Sequence, residues 1–292
     1  MKSIILSNGE TLFYRERPGG NQPLVLVHGN MTSSVHWDVL LDKLPGELKV
    51  YAVDMRGFGQ STYHQPINSI HDFAQDIKEW ATTLGLSSFI LMGWSLGGAV
   101  SMDYAAHYPE DVEKLILMCS ASTRGYPIFK KDEHGLPIIE QPLHSREEIA
   151  RDPIQVLPML NAYREKNKEV LKAIWNVLIY TSKKPNDEQY DKYLEDMLTQ
   201  RNLVDVDYAL ANFNISNHPA PTGEGTGLVK NLTMPTLVLT GKNDLVVSRT
   251  MTEELFADLP HKITHIELNA GHSPLIDDLE NLNQAIKTFI LG

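Results

Sequence analysis

Short apolar runs alternate along the chain with stretches whose apolar residues recur at helical spacing. Two strands are predicted first, over 4–6 and 11–15, joined by the turn-forming Ser7-Asn8-Gly9-Glu10. Leu24-Val25-Leu26-Val27 then runs without polar alternation into His28-Gly29. Such a run reads as a strand buried on both faces, the habit of parallel sheets. Val50–Val53, Phe89–Met92 and Leu115–Met118 repeat the signature. Between these runs lie predicted helices over 35–44, closed by Pro45-Gly46, over 70–84, and from Gly98 to about His107, stopped near Pro109. In the second, Ile70, Phe73, Ala74, Ile77, Trp80, Ala81 and Leu84 share one face, with Asn68 or Ser69 as cap and Gly85 as stop. Strands and helices alternating through short links predict an α/β fold: a mostly parallel central sheet flanked by helices.

The rhythm stops after Cys119. From 120 to 228 there is no buried-strand run, several prolines, and helical patterns over 162–180 and 188–200. The stretch closes with His218-Pro219-Ala220-Pro221-Thr222-Gly223-Glu224-Gly225-Thr226-Gly227, which reads as an exposed, hinge-like linker. Strands are predicted again over 236–240 and 264–268, and helices over 251–259 and 275–290. The expected organisation is therefore an α/β core in two parts, 1–119 and 229–292, interrupted by an inserted helical cap over 120–228.

Charge narrows the function classes. With 26 Lys+Arg against 37 Asp+Glu, the chain carries −11 with neutral histidines. That argues against nucleic acid and against an anionic membrane surface. The lone Cys119 excludes an internal disulfide framework and a thiolate-rich metal site. No His/Asp/Glu spacing suggests a metal centre, so neither metal nor cofactor is expected. Gly223–Gly227 superficially resembles a phosphate loop, but it follows no strand, and the linker reading is preferred. Met1–Leu6 is too short for an export signal, and no run approaches the ~18 apolar residues of a membrane span. A cytoplasmic protein is expected, with its oligomeric state left open.

One motif carries chemistry. Gly93-Trp94-Ser95-Leu96-Gly97 places a serine between a buried strand and a helix. A turn that sharp exposes the hydroxyl, and flanking glycines give it room. The hydroxyl needs a base, and His272 follows the last predicted strand. The base needs an acid, and Asp244 follows the strand at 236–240. The strand ending at Cys119 could have offered an alternative acid, but Ser120-Ala121-Ser122-Thr123 holds no carboxylate. Asp277 and Asp278 are expected to be solvated, as are His107, His134, His144, His218 and His261. Developing negative charge on a carbonyl oxygen calls for N–H donors. The expected pair is the backbone N–H of Leu96 and that of Asn30, with His28 bracing the loop.

His28-Gly29-Asn30, the stretch Asp54–Ser61, Gly93–Gly98, Gly241-Lys242-Asn243-Asp244 and Gly271-His272 together resemble the α/β-hydrolase superfamily, of the cap-bearing kind. The Gly-Trp-Ser-x-Gly form is similar to that of carboxylesterases and some intracellular polyhydroxybutyrate depolymerases. The resemblance implies a serine esterase acting on a small-molecule ester, with catalytic Ser95, Asp244 and His272. It makes Asp54–Ser61 a structural loop, with Asp54 and Arg56 in polar contacts. Family members with Asp in place of Ser95, the haloalkane dehalogenases and epoxide hydrolases, are disfavoured. A lactonase, a polyester-oligomer hydrolase, a carbon–carbon bond hydrolase or a non-turnover receptor would share the same residues. The cap is expected to shape a largely apolar pocket, with Trp94, Met159, Trp175 and Tyr180 as candidate lining.

Overall fold

The computed structural model describes residues 1–260 and 263–292; His261 lies outside the described residues. An antiparallel hairpin of β1 (Lys2–Ile5) and β2 (Thr11–Arg17) opens the chain, followed by β3 (Gln22–Val27), a 3₁₀ turn over Ser34–Trp37 and a short α1 (Asp38–Leu41). Then come β4 (Leu48–Val53), α2 (Ile70–Thr83), β5 (Phe89–Trp94), α3 (Leu96–His107) and β6 (Val112–Met118). After β6 the chain leaves the sheet through β7 (Phe129–Lys131), β8 (Pro137–Pro142), α4 (Arg146–Ala150), α5 (Leu157–Glu165), α6 (Lys168–Leu178), α7 (Asp187–Met197) and α8 (Leu203–Ala211). It returns as β9 (Thr236–Gly241), α9 (Arg249–Asp258), β10 (Thr264–Leu268), α10 (Pro274–Asp277) and α11 (Leu279–Leu291).

The eight-stranded sheet has the order β1-β2-β4-β3-β5-β6-β9-β10, parallel from β4 to β10. The uninterrupted apolar runs explain it. Leu24–Val27, Phe89–Met92 and Leu115–Met118 are buried on both faces, so they serve two apolar layers at once. In one layer Trp80 of α2 meets Tyr14 and Tyr51 edge-on, with ring centroids 5.4 and 5.8 Å away. In the other, Trp37 and Trp94 pack with Leu275, Leu282 and Ile286 from the C-terminal helices.

Helix boundaries follow local signals where these are strong. Asp72 bonds back to the N–H of Ser69 at the start of α2, and Gly85 ends it at φ +72. Three predicted helices prove shorter or divided. Residues 35–44 split into a 3₁₀ turn and the single turn of α1. The run at 162–180 breaks where Lys166 turns left-handed (φ 51) and Asn167 caps α6 by accepting from the Val170 N–H. The run at 275–290 divides at Asp278, whose backbone leaves the helical region (φ −145, ψ 47). Apolar periodicity is continuous across these breaks because both pieces pack on the same core, so the pattern conceals the joint.

The excursion between β6 and β9 also differs from an all-helical expectation. It contains the β7–β8 hairpin, whose mixed Pro137-Ile138-Ile139-Glu140-Gln141-Pro142 strand lacks a continuous apolar run. The stretch His218–Gly227, expected as an open hinge, is stitched instead. Ala220 and Gly223 exchange backbone hydrogen bonds, and the Asn214 side chain donates to the carbonyls of His218 and Gly223. Asp196 of α7 ties the excursion to the core by accepting from Ser33 Oγ (2.5 Å) and contacting His36 Nδ1 (3.1 Å).

The turn from β5 into α3 has little spare space. A Cβ on Gly97 would lie 2.1 Å from the Val27 carbonyl oxygen, one on Gly93 2.0 Å from that of Gly97, and one on Gly98 2.1 Å from Ser120 Oγ. Gly97→Ala is therefore expected to push α3 off β3 and cost about 1–3 kcal/mol. Gly46→Ala, where a Cβ meets nothing within 4 Å, should stay within about 0.5 kcal/mol of wild type. Urea unfolding of the two variants checks the contrast; equal stabilities would refute the steric account.

Candidate active site

Strands β3, β5, β6, β9 and β10 run in one direction, so the loops after them share one edge of the sheet. The chain reverses its order of strand addition at β3, which makes the β3/β5 boundary the switch point where ligands bind in open α/β sheets. Ser95 follows β5 there, and Gly29-Asn30 follows β3. Gly29 sits directly against the serine: a Cβ on it would lie 3.3 Å from Ser95 Cβ.

Ser95 adopts φ 56, ψ −115, a conformation an L-residue holds only under constraint. Met31 (φ 62) and Cys119 (φ 43) are strained likewise, on the loops after β3 and β6. Three of the four non-glycine residues with positive φ among the described residues thus cluster around this edge. The strain at Ser95 leaves its side chain partly exposed while its neighbours are buried.

Three residues predicted from sequence meet in a hydrogen-bonded chain. His272 Nε2 lies 2.9 Å from Ser95 Oγ, and His272 Nδ1 lies 2.9 Å from Asp244 Oδ2 and 3.1 Å from Oδ1. A carboxylate only accepts, so Nδ1 carries the proton and Nε2 presents a lone pair to the serine hydroxyl. Burial pushes the Asp244 carboxyl upward. The charge and hydrogen bond of His272, with the Val246 and Val247 N–H groups, outweigh it and hold the carboxyl below its ordinary range. The arrangement can take a proton from the serine as its oxygen forms a bond, while Asp244 balances the imidazolium.

The surroundings fix these parts. Trp94 Nε1 donates to the His272 carbonyl (2.8 Å). Asp277, expected to be solvated, is instead buried: it accepts from the N–H groups of Gly271 (2.7 Å), Thr181 (3.2 Å), Ser182 (3.0 Å) and Lys183 (2.7 Å). One carboxylate thus holds the loop bearing His272 and the chain after α6 together. Burial, and then Asp244, push the Cys119 thiol up, so it stays protonated, 3.8 Å from the Gly271 carbonyl. Its sulfur, Asp244 and His272 lie close enough to suggest metal ligands, but a protonated thiol and an imidazole already engaged on both nitrogens do not fit an ion.

His28 braces its loop. Its Nε2 accepts from the Met55 N–H (3.0 Å), so Nδ1 is protonated and donates to the Gly29 carbonyl (2.8 Å). Complete burial lowers its pKa to about 4, only partly offset by that bond, so the ring stays neutral. Asp54 accepts from the N–H groups of Ser34 and Gln60, and Arg56 forks onto Asp76 at 2.5 and 2.7 Å, as the resemblance implied.

Among the described residues, neither the Asn30 N–H nor the Leu96 N–H has a protein acceptor. The Asn30 side chain, by contrast, is fully engaged. Its Oδ1 accepts from Gln200 Nε2 (2.8 Å) and the Met31 N–H (3.0 Å), and its Nδ2 donates to Asp207 (3.2 Å). Tyr163 in turn donates to Gln200 (2.9 Å). Gln200, Asp207, Tyr163 and Asp277 had no signal in the sequence, because each meets its partner across a large separation along the chain. Met159, Trp94, Trp175 and Tyr180 are all buried in the apolar layer on this side of the sheet. Trp175 packs edge-on against Tyr180 (5.5 Å) and tilted against His36 (5.6 Å).

The histidines expected to be solvated divide. His134 and His218 are exposed. His107 packs against His71 (4.0 Å between ring centroids), with Asp103 3.3 Å from its Nδ1. That grouping is a three-residue cluster of potential metal ligands that no spacing in the sequence suggested.

The chain is similar over 98% of its length, and 93% of the relative's, to a 2-hydroxy-6-oxononadienedioate/2-hydroxy-6-oxononatrienedioate hydrolase of Paraburkholderia phymatum at 24% identity. A pimeloyl-[acyl-carrier protein] methyl ester esterase of Vibrio atlanticus is also 24% identical, with 96% of this chain and 98% of the relative covered. Among solved structures, an esterase from Exiguobacterium antarcticum has the same fold, with a TM-score of 0.76 at 18% identity over 99% of both chains. A family model of the alpha/beta hydrolase fold matches residues 22–279. With its parallel sheet, its strained serine turn and this match, the chain belongs to the alpha/beta hydrolase fold family.

Proposed function

We propose that this hydrolase cleaves a carboxylic ester through an acyl-enzyme on Ser95. The observation that carries the reading is the continuous Ser95–His272–Asp244 hydrogen-bonded chain at 2.9 Å per link. Ser95 Oγ attacks the ester carbonyl carbon while His272 Nε2 accepts its proton. The carbonyl π pair moves to oxygen, which is met by the N–H groups of Leu96 and Asn30. Collapse of the tetrahedral intermediate expels the alcohol oxygen, which takes the proton back from His272. Water then repeats the sequence on the acyl-enzyme and releases the acid, restoring Ser95.

In this reading, residues 120–228 act as a cap over the site. Trp94, Met159, Trp175 and Tyr180 form its apolar side, supported by their shared burial in one layer. The other side is polar: Tyr163, Gln200 and Asp207 reach the oxyanion loop from the cap through the Asn30 side chain. In this reading the substrate pocket has a polar side beside its apolar one.

A second reading, carbon–carbon bond cleavage, is favoured by the similarity to the hydrolase from Paraburkholderia phymatum. It uses the same three residues, so a panel of esters, lactones and vinylogous 1,5-diketones separates the readings. Preferential turnover of the diketones would replace the ester proposal.

Ser95→Ala should reduce ester turnover by on the order of a thousand- to a million-fold and abolish covalent labelling by a fluorophosphonate. Labelling of the alanine variant would exclude Ser95 as the nucleophile. Asp244→Asn should lower kcat by about four orders of magnitude, with little change in KM, because the imidazole is left in the wrong tautomer. Steady-state kinetics checks this, and near wild-type kcat would put the acid elsewhere.

Asp207 supplies a pH prediction. Burial raises its carboxyl to about 7, although the Asn30 hydrogen bond opposes this. Between about pH 4 and about pH 7 the folded state keeps a proton that the unfolded chain has released. Stability therefore falls as pH rises through that window. Asp207→Asn removes this dependence, so the variant's Tm should gain on wild type between pH 5 and pH 8. Parallel Tm profiles for the two proteins would contradict the assignment.

A further inference from the structure

On the outer face of the sheet, well along α3 from Ser95, three side chains from two helices converge. Asp103 and His107 are one helical turn apart on α3, so they share a face, and His71 comes from the first turn of α2. One ring nitrogen of each histidine and a carboxylate oxygen of Asp103 lie within 4.8 Å of one another. The Asp103 side chain is only 6% exposed, whereas the imidazoles are 31% and 29% exposed. A carboxylate so far removed from water needs a cationic partner. Among the described residues it pairs with no lysine or arginine; its ionic partners are the two histidines.

Both rings turn Nδ1 toward the Asp103 carboxylate. His71 Nδ1 lies 2.7 Å and His107 Nδ1 lies 3.3 Å from Asp103 Oδ2, and His107 Nδ1 is also 2.9 Å from the Asp103 carbonyl oxygen. The donor atoms therefore converge on one point, where an ion that displaces the Nδ1 protons would meet two imidazole nitrogens and a carboxylate oxygen at once. The three residues also line a cavity of about 290 Å³, together with Asn214, Glu224 and Thr226. The cavity leaves room for a water or another ligand on the open side, and Glu224 adds a second negative charge.

We propose that His71, Asp103 and His107 form a binding site for one divalent transition-metal ion of the zinc class. Two imidazoles and one carboxylate match the preferences of zinc, cobalt and nickel, whereas magnesium and calcium select all-oxygen sets. The ion clips α2 to α3, the helix that begins directly after Ser95. The site is separate from the Ser95–His272–Asp244 chain and does not depend on the reaction proposed there.

The test is calorimetric titration of the untagged, chelator-treated protein with zinc chloride. One equivalent should bind, magnesium chloride should produce no binding, and zinc should raise Tm. His71→Ala and His107→Ala should each weaken zinc binding about tenfold or more, while His272→Ala should leave this site's binding in place. Absence of one-equivalent binding in the unaltered protein would overturn the proposal. So would undiminished binding in both His71→Ala and His107→Ala, or its loss in His272→Ala alone. Cobalt(II) chloride provides a measurement that needs no variant to fold: visible d–d bands of a low-coordinate site are expected in the unaltered protein, and their absence would also refute the site.

Discussion

The contact between α3 and β3 through Gly97 governs the rest of this structure. A helix that starts within van der Waals reach of the Val27 and His28 carbonyls forces the preceding residue, Ser95, into a strained turn at φ 56. Strain of about 1–3 kcal/mol must be offset by the surrounding core. That core is the pair of apolar layers served by β3, β5 and β6, whose central residues are buried on both faces. The same turn that costs stability lifts the serine hydroxyl out of the packed interior and leaves the Leu96 N–H, at the head of α3, without a partner among the described residues.

The second constraint is electrostatic. Acidic side chains are buried at this edge wherever backbone N–H groups must be held: Asp244 below the Val246–Val247 turn, Asp277 below Thr181–Lys183 and Gly271, and Asp54 below Ser34 and Gln60. Each satisfies donors that a loop would otherwise leave unpaired in the interior. Asp244 differs because it also meets His272, and its lowered carboxyl pKa reflects that charge. Asp207 accepts a single bond, from Asn30, and burial drives its carboxyl up to about 7; burial also raises the Asp54 carboxyl, against its bonds from Ser34 and Gln60.

The segment between β6 and β9 is coupled to the core by polar contacts with specific geometry. Asp196 reaches Ser33 and His36, Gln200 and Asp207 hold both ends of the Asn30 amide, and Asp277 holds the chain after α6. Movement of the segment would therefore disturb the loop that carries the Asn30 N–H. The proposed ester chemistry and the position of this segment are linked through those bonds.

The amino-acid sequence alone determined the sheet, the order of its elements and the residues that meet at its edge. Doubly buried strands announce themselves as unbroken apolar runs, and residues just past parallel strands must share one edge. Ser95, Asp244 and His272 were legible for that reason, and the Gly85 end of α2 was too, while its start lay open between Asn68 and Ser69 until the structure placed it at Ser69. Tertiary structure decided what pairing over long separations decides. The break at Lys166–Asn167 is hidden by a helical pattern that continues across it. Asp277, read as solvated from its polar neighbourhood, is buried because a strand-end loop and the chain after α6 both bring N–H groups to it. His71 joins Asp103 and His107 only because α2 packs on α3. Local chemistry is written in neighbouring residues; a buried charge finds its partners only when distant segments are brought together.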